Sequence, residues 1–132
     1  MRRDFLSRLA LILLLCALAL SPREVRAEAF SALVDDLPMM AGLTEYPDHG
    51  VVFDTPAGRI VETYAGGELT AEAIQRFYRQ TLSQLGWTAQ GMAGMHFVRE
   101  DEMLTIDFPI NPASEASGTI LVRFRISPRP QN

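Results

Sequence analysis

Residues 70–87, TAEAIQRFYRQTLSQLGW, decide the fold, because they describe one amphipathic helix that ends at a glycine just before the only tryptophan. Thr70 is a suitable N-cap, Glu72 puts a negative charge in the first turn, and Gly86 can take the left-handed conformation that ends a helix. Apolar residues recur every three or four positions and share one face: Ile74, Phe77, Tyr78, Leu82 and Leu85. A helix of this length is marginal alone in water, so we expect it to dock on an apolar surface, with Trp87 as a lid on the core.

Strand patterns lie on both sides of this helix. Residues 51–65 predict a hairpin with its turn at residues 56–58, and Gly66 and Gly67 are expected to end it. After the helix, residues 87–90 and 95–99 predict short strands, residues 103–108 and 119–127 alternate between apolar and polar, and residues 109–118 predict a polar loop. On the last strand this alternation points Ile120, Val122, Phe124 and Ile126 inward. The order β-β-α-β-β-β predicts an α+β fold, an antiparallel sheet of about five to six strands with one main helix packed on one face.

The N-terminus carries the pattern of a signal peptide over residues 1–27. Arg2, Arg3 and Arg8 form a basic start, residues 9–20 are apolar, and Ala27 offers a cleavage point. The apolar run is shorter than the roughly 20 residues that span a bilayer, so we expect cleavage and a periplasmic or secreted location. Residues 2–6, RRDFL, also resemble the core of a twin-arginine signal, whereas the leucine-rich run favours general secretion. Cys16 lacks the small preceding residue of a lipoprotein signal and is interpreted as an apolar filler.

Cleavage at Ala27 would leave one small domain without cysteine. We expect residues 28–49 to form an irregular N-terminal arm, residues 50–127 the α+β domain and residues 128–132 a C-terminal tail. Within the arm, Ala29, Phe30, Leu33 and Val34 are expected to form a short helical turn. The apolar residues 37–43 would either cover a core edge, which we favour, or form an exposed docking strip. The mature chain has seven arginines and 14 acidic residues, a net charge near −7, which argues against nucleic acid or an anionic membrane as partner.

Residues that could carry chemistry are few. His49 and His96 are the only histidines, and their spacing is not that of a metal site. The acidic residues cluster as sequence neighbours, at 35–36 and 100–102, which is typical of solvated turns and not of a catalytic pair. No serine lies in a G-x-S-x-G context, and no glycine pair is followed by the Lys-Ser/Thr of a phosphate loop. We therefore predict no catalytic, cofactor-binding or metal-binding residue.

Arginines are the best candidates for an interaction surface. Arg123 and Arg125 project from one face of the last strand, and Arg59 and Arg99 could lie nearby on neighbouring strands. Such a row could bind an acidic partner or a carboxylate ligand. The alternative, which we favour, is that these arginines pair across the sheet with Glu62, Asp107 or Thr105.

A resemblance supports the fold but adds no activity. Residues 77–87, FYRQTLSQLGW, resemble a segment found in uncharacterised small secreted (periplasmic) proteobacterial proteins, and residues 52–60 are similar to the segment before that helix. The similarity covers about residues 51–108. Because the shared residues form the helix, its cap and the core, the resemblance implies a fold and carries no catalytic role.

Two hypotheses about function follow. The first is a non-enzymatic periplasmic accessory or protein-interaction domain that presents its arginine-bearing face, an edge strand or the arm to an envelope protein. The second is a small-ligand binder or enzyme with a helix-sheet cleft lined by His96, Tyr64 or Arg123. A filled core with an exposed strip favours the first, and a concave pocket favours the second.

Overall fold

The capped helix is present as α1, Ala71–Gln84, in the computed structural model, which describes residues 29–91 and 94–130. The Thr70 hydroxyl accepts a hydrogen bond from the amide of Ala73 at 3.2 Å, and Gly86 has a φ of 84°, so both predicted caps are confirmed. Along α1, Ile74, Tyr78 and Leu82 are fully buried. Leu85, expected on the same buried face, is 37% exposed because the helix has already ended at this C-cap residue.

The α+β class with an antiparallel sheet is confirmed, but the strand number was predicted too low. The described residues contain nine strands. They are β1 (Ala29–Phe30), β2 (Pro38–Met39), β3 (Thr44–Glu45), β4 (Val51–Thr55), β5 (Gly58–Gly67), β6 (Thr88–Gln90), β7 (His96–Arg99), β8 (Glu102–Asp107) and β9 (Ile120–Pro128). The strands that exceed the prediction, β1 to β3, have two residues each, which is too short to show a period in sequence.

Seven strands form the main sheet, in the order β3-β5-β9-β8-β7-β6, and β4 also pairs with β5. Every pairing is antiparallel. β5 extends through Gly66 and Gly67, which were expected to end it, and pairs with β9 as far as Gly67 opposite Ile120. The remaining two strands, β1 and β2, form a small hairpin of their own.

One face of this sheet is covered and the other is open. The covered face carries Val61, Leu104, Ile106, Val122 and Phe124, which pack with α1 in a single core. Tyr78 of α1 lies edge-on to Phe124, with ring centroids 5.2 Å apart. The alternate residues of the same strands, among them Tyr64, Arg123 and Asp107, form what we call the open face. Trp87 is only 5% exposed, as expected of a lid on the core.

The N-terminal arm is part of the packing. Leu37, Pro38 and Met39 are buried, so this half of the predicted strip covers the core edge. The Tyr78 hydroxyl donates to the carbonyl of Pro38 at 3.0 Å. Ala29 and Phe30 lie in strand β1 and are exposed, and Leu33 and Val34 lie in a bend, so the predicted helical turn was wrong.

Glu45 ties the arm to the sheet. Its Oε1 atom accepts hydrogen bonds from the hydroxyls of Ser31 at 2.6 Å and Thr63 at 2.9 Å, and its Oε2 atom accepts from the amide of Ala32 at 2.7 Å. Thr63 is fully buried, so this carboxylate satisfies a hydroxyl inside the core.

The loop predicted at residues 109–118 contains a short helix, α2, Pro112–Ala116. Asn111 is its N-cap, with its side-chain oxygen accepting from the amide of Ala113 at 3.0 Å, and Pro112 occupies the first turn. Among the described residues no helix is long and apolar enough to span a membrane. The signal peptide prediction, with Cys16 and the cleavage point at Ala27, lies outside them.

Candidate functional site

The four candidate arginines lie on opposite faces of the sheet. Arg123 and Arg125 lie on the open face, as the alternation along β9 predicts. Arg59 points to the same face of β5 as buried Val61, which is the covered face. Together with Arg99 it lines a cavity of about 210 Å³. The structure therefore does not bring the four side chains into one row.

Arg99 is surrounded by an aromatic ring, a backbone carbonyl and two acidic side chains. Its guanidinium lies 4.5 Å from the centroid of the Trp87 ring, in a cation–π arrangement, and its Nη1 atom donates to the carbonyl of Leu85 at 3.5 Å. Two acidic side chains, Asp36 and Glu102, lie 4.0 and 3.9 Å from it. Arg99 thus connects the residue that ends α1, Leu85, to the ring of Trp87.

Arg123 makes the cross-strand pair that we favoured. Its Nε and Nη2 atoms donate to the Asp107 carboxylate at 3.0 and 2.8 Å, a two-point contact between β9 and β8. This hydrogen-bonded carboxylate raises the pKa of Arg123 above its already high ordinary value. On the other side of Arg123, the hydroxyl of Tyr64 donates to Glu62 at 2.5 Å. The bond to Glu62 raises the pKa of Tyr64, because it stabilises the protonated phenol.

An open cleft adjoins this network on the open face. Its volume is about 460 Å³, within the range of small-molecule sites, and its lining consists of Tyr46, His49, Tyr64, Asn111, Ser114 and Leu121. Tyr64 comes from β5 and Leu121 from β9. Tyr46 and His49 come from the chain between β3 and β4, and Asn111 and Ser114 from the start of α2. This cleft differs from the predicted one, since it lies on the face opposite α1 and lacks His96 and Arg123.

The aromatic wall of the cleft is held in place by backbone geometry. The amide of Tyr46 donates to the carbonyl of Tyr64 at 2.7 Å, and a 3₁₀ turn, Pro47–His49, sets His49 edge-on to Tyr46 with ring centroids 6.4 Å apart. A Cβ atom on residue 66 would come within 2.6 Å of the Tyr46 hydroxyl. Gly66 is therefore needed for the tyrosine to lie against the sheet.

A second candidate surface is strand β4. Val51, Val52 and Phe53 are 49%, 43% and 48% exposed, and within the described structure β4 pairs with β5 alone. Successive residues point to opposite faces, so apolar side chains flank this edge on both sides. At the other end of the sheet, β6 carries the short sequence Thr88, Ala89 and Gln90. We call residues 51–53 the apolar edge.

The two histidines lie far apart in the sheet order. His49 belongs to the turn before β4, whereas the ring of exposed His96 on β7 is 3.2 Å from the hydroxyl of Thr105. In the part of the chain that the structure describes, no three His, Cys, Asp or Glu side chains gather in a way that could hold a metal ion.

No protein-family model, curated protein or solved structure matches this chain. Any function must therefore be argued from the surfaces described above.

Most residues of the cleft were not predicted as site residues. His49 was considered only as a metal ligand, and Tyr46, Asn111, Ser114 and Leu121 were not singled out. One signal was available: Asn111 followed by Pro112, with Glu115 in the first turn, is a helix start that would have placed α2 in the loop. The meeting of this helix with Tyr46 depends on the pairing of β3, β5 and β9, which no local pattern reveals.

Proposed function

We propose that this chain is an exported, non-enzymatic interaction protein that binds an extended segment of an envelope protein along the apolar edge, by adding a strand to β4. The observation that carries the proposal is the exposure of Val51, Val52 and Phe53, each between 43% and 49%, on a strand with one neighbour among the described residues. Proteins usually blunt such edges with charges or proline, because an unpaired apolar strand invites association. A partner strand would satisfy the outer backbone groups of β4 and cover its side chains.

The distribution of the conspicuous residues supports the same proposal. Trp87, Tyr78, Phe97 and Phe124 are all at most 5% exposed and belong to the core. Two charges of the open face, Arg123 and Asp107, are paired with each other. Within the described chain, the apolar edge places three exposed apolar residues in a row on one strand.

The export part of the proposal rests on residues 1–27 and on their similarity to bacterial signal peptides. Mass spectrometry of the protein recovered from the periplasm or medium should find Glu28 as the first residue. An intact N-terminus on a membrane-bound product would contradict cleavage.

The binding part is tested by substitutions at the edge. Immobilised mature protein, as wild type, Val52→Lys or Phe53→Lys, is incubated with envelope extract, and the retained proteins are identified and quantified. Since a charge on β4 opposes strand addition, we expect each variant to lose about tenfold or more of a partner that wild type retains, which corresponds to about 1.4 kcal/mol.

The matched control is Ile110→Lys, because Ile110 is 85% exposed and lies outside β4. It should retain the partner fully. The exposed edge residues should change the free energy of unfolding by no more than about 0.5 kcal/mol, which thermal melting checks. Equal retention by all four proteins, or a loss with Ile110→Lys as well, would reject the edge as the binding surface.

A further inference from the structure

We infer that the cleft formed by Tyr46, His49, Tyr64, Asn111, Ser114 and Leu121 is a binding site for an uncharged saccharide. This site is separate from the apolar edge, and the inference does not rest on strand addition. It is carried by the chemistry of the lining, the fixed position of the aromatic wall and the absence of Asp, Glu, Lys and Arg from the six lining residues.

The lining combines aromatic faces with hydroxyl and amide groups. Two tyrosine rings and a histidine ring supply flat surfaces, and Leu121 supplies an apolar floor. Tyrosine presents a large apolar body with a polar tip, which suits a ligand that is apolar on one face and rich in hydroxyls at its rim. A sugar ring has this character, because its C–H groups and its hydroxyls point in different directions.

The part of the lining that α2 contributes offers hydrogen-bonding groups. The side-chain oxygen of Asn111 is used in capping α2, where it accepts from the amide of Ala113. The amide nitrogen of Asn111 consequently remains as a donor for a ligand hydroxyl. The Ser114 hydroxyl, one turn further along, can both donate and accept.

Charge selects against ionic ligands. None of the six lining residues is Asp, Glu, Lys or Arg. The charged groups beside Tyr64 are engaged with other side chains: Glu62 accepts from Tyr64, and Arg123 donates to Asp107 at two points. A carboxylate, phosphate or ammonium ligand would have to be desolvated here without a charged partner, which is costly.

The cleft is also prepared before the ligand arrives. Gly66 lets the Tyr46 ring lie on the backbone, the 3₁₀ turn positions His49, and Glu62 orients the hydroxyl of Tyr64. Because the side chains are already held, little conformational entropy remains to be lost on binding.

The test uses the mature chain on an array of neutral, acidic and basic oligosaccharides, followed by titration of the strongest neutral one. We expect retention of neutral saccharides in preference to acidic and basic ones. Tyr46→Ala removes an aromatic contact and should weaken binding about tenfold. Asn111→Asp keeps the oxygen that caps α2 but replaces the amide donor with a carboxylate, and it should weaken binding similarly while leaving the fold intact.

Two controls separate a local effect from a general one. Phe30→Ala removes an aromatic ring that is 54% exposed outside the cleft, and Phe53→Lys alters only the apolar edge; both should bind the saccharide as wild type does. Absence of neutral-saccharide binding, a preference for acidic saccharides, or undiminished binding by both Tyr46→Ala and Asn111→Asp would overturn the inference.

Discussion

The two faces of the sheet use the same strands in different ways. On β9, Val122, Phe124 and Ile126 are buried against α1, whereas Arg123 and Arg125 between them lie on the open face. The covered face is stabilised by burial of apolar surface, which depends on volume and shape. The open face is stabilised by particular pairs, of which the Arg123–Asp107 contact is the best defined. Both surfaces that we connect with function, the cleft and the apolar edge, include residues of the open face.

This division separates stability from binding. A residue on the covered face contacts many neighbours, so its replacement disturbs the whole core. A residue on the open face keeps part of its side chain in solvent, and away from a specific pair it can be changed at small cost. Binding residues can therefore vary on the open face while the helix and the core stay the same.

The largest expected effect compares adjacent residues of β9. Phe124→Ala should lower the free energy of unfolding by about 3–5 kcal/mol, because it leaves a cavity where a fully buried ring meets Tyr78. Arg125→Ala, one residue further on the open face, should change it by no more than about 0.5 kcal/mol. Urea denaturation of both variants measures the difference. Similar losses in the two would show that the open face is itself part of a buried layer.

A middle-sized effect comes from the hydroxyl of Tyr78, which is buried on the covered side. Tyr78→Phe removes the donor to the Pro38 carbonyl and should cost about 1–2 kcal/mol at neutral pH. In the wild type, burial raises the pKa of Tyr78, so the folded chain keeps the proton after the unfolded chain begins to lose it near pH 10.

The sign of the pH dependence follows from this difference in bound protons. Above about pH 10 the folded state binds more protons than the unfolded state, so stability falls as the pH rises, by up to about 1.4 kcal/mol per pH unit for this group. Tyr78→Phe lacks this contribution, and its stability should fall less steeply. Denaturation curves between neutral pH and pH 11 measure both slopes. Parallel slopes for the two proteins would mean that Tyr78 titrates without coupling to folding.

Much of the fold was predictable because apolar residues recur with helical or strand spacing along its longer elements. The helix at residues 70–87 showed its caps and its buried stripe, and the alternation along residues 119–127 placed each side chain of β9 on the correct face. Short elements were not predictable, since β1, β2 and β3 have two residues each. The role of Glu45, which joins Ser31 to Thr63, depends on tertiary contacts and left no local signal.

The sites were less predictable than the fold. Periodicity assigned Arg123 and Arg125 to one face. It could not show that Arg59 belongs to the other, because residues 60–64, IVETY, do not alternate between apolar and polar. The cleft brings together residues from positions 46 to 121, and only the strand order makes them neighbours. The exposure of β4 likewise follows from its place at the edge, since its sequence resembles that of an interior strand.

The smallest expected effect tests whether the open face is held by pairs. In a double-mutant cycle of Arg123→Ala and Asp107→Ala, we expect a coupling free energy of about 0.5–1 kcal/mol at low salt, because the side chains are 37% and 38% exposed and solvent screens the pair. Raising the salt concentration should reduce the coupling. The matched cycle of Arg125→Ala with Asp107→Ala should give none, since Arg125 lies opposite Thr105 and Glu62. Equal coupling in both cycles would show that the open face is stabilised by general charge attraction and not by a specific cross-strand contact. The two faces of the sheet would then differ only in how deeply their residues are buried.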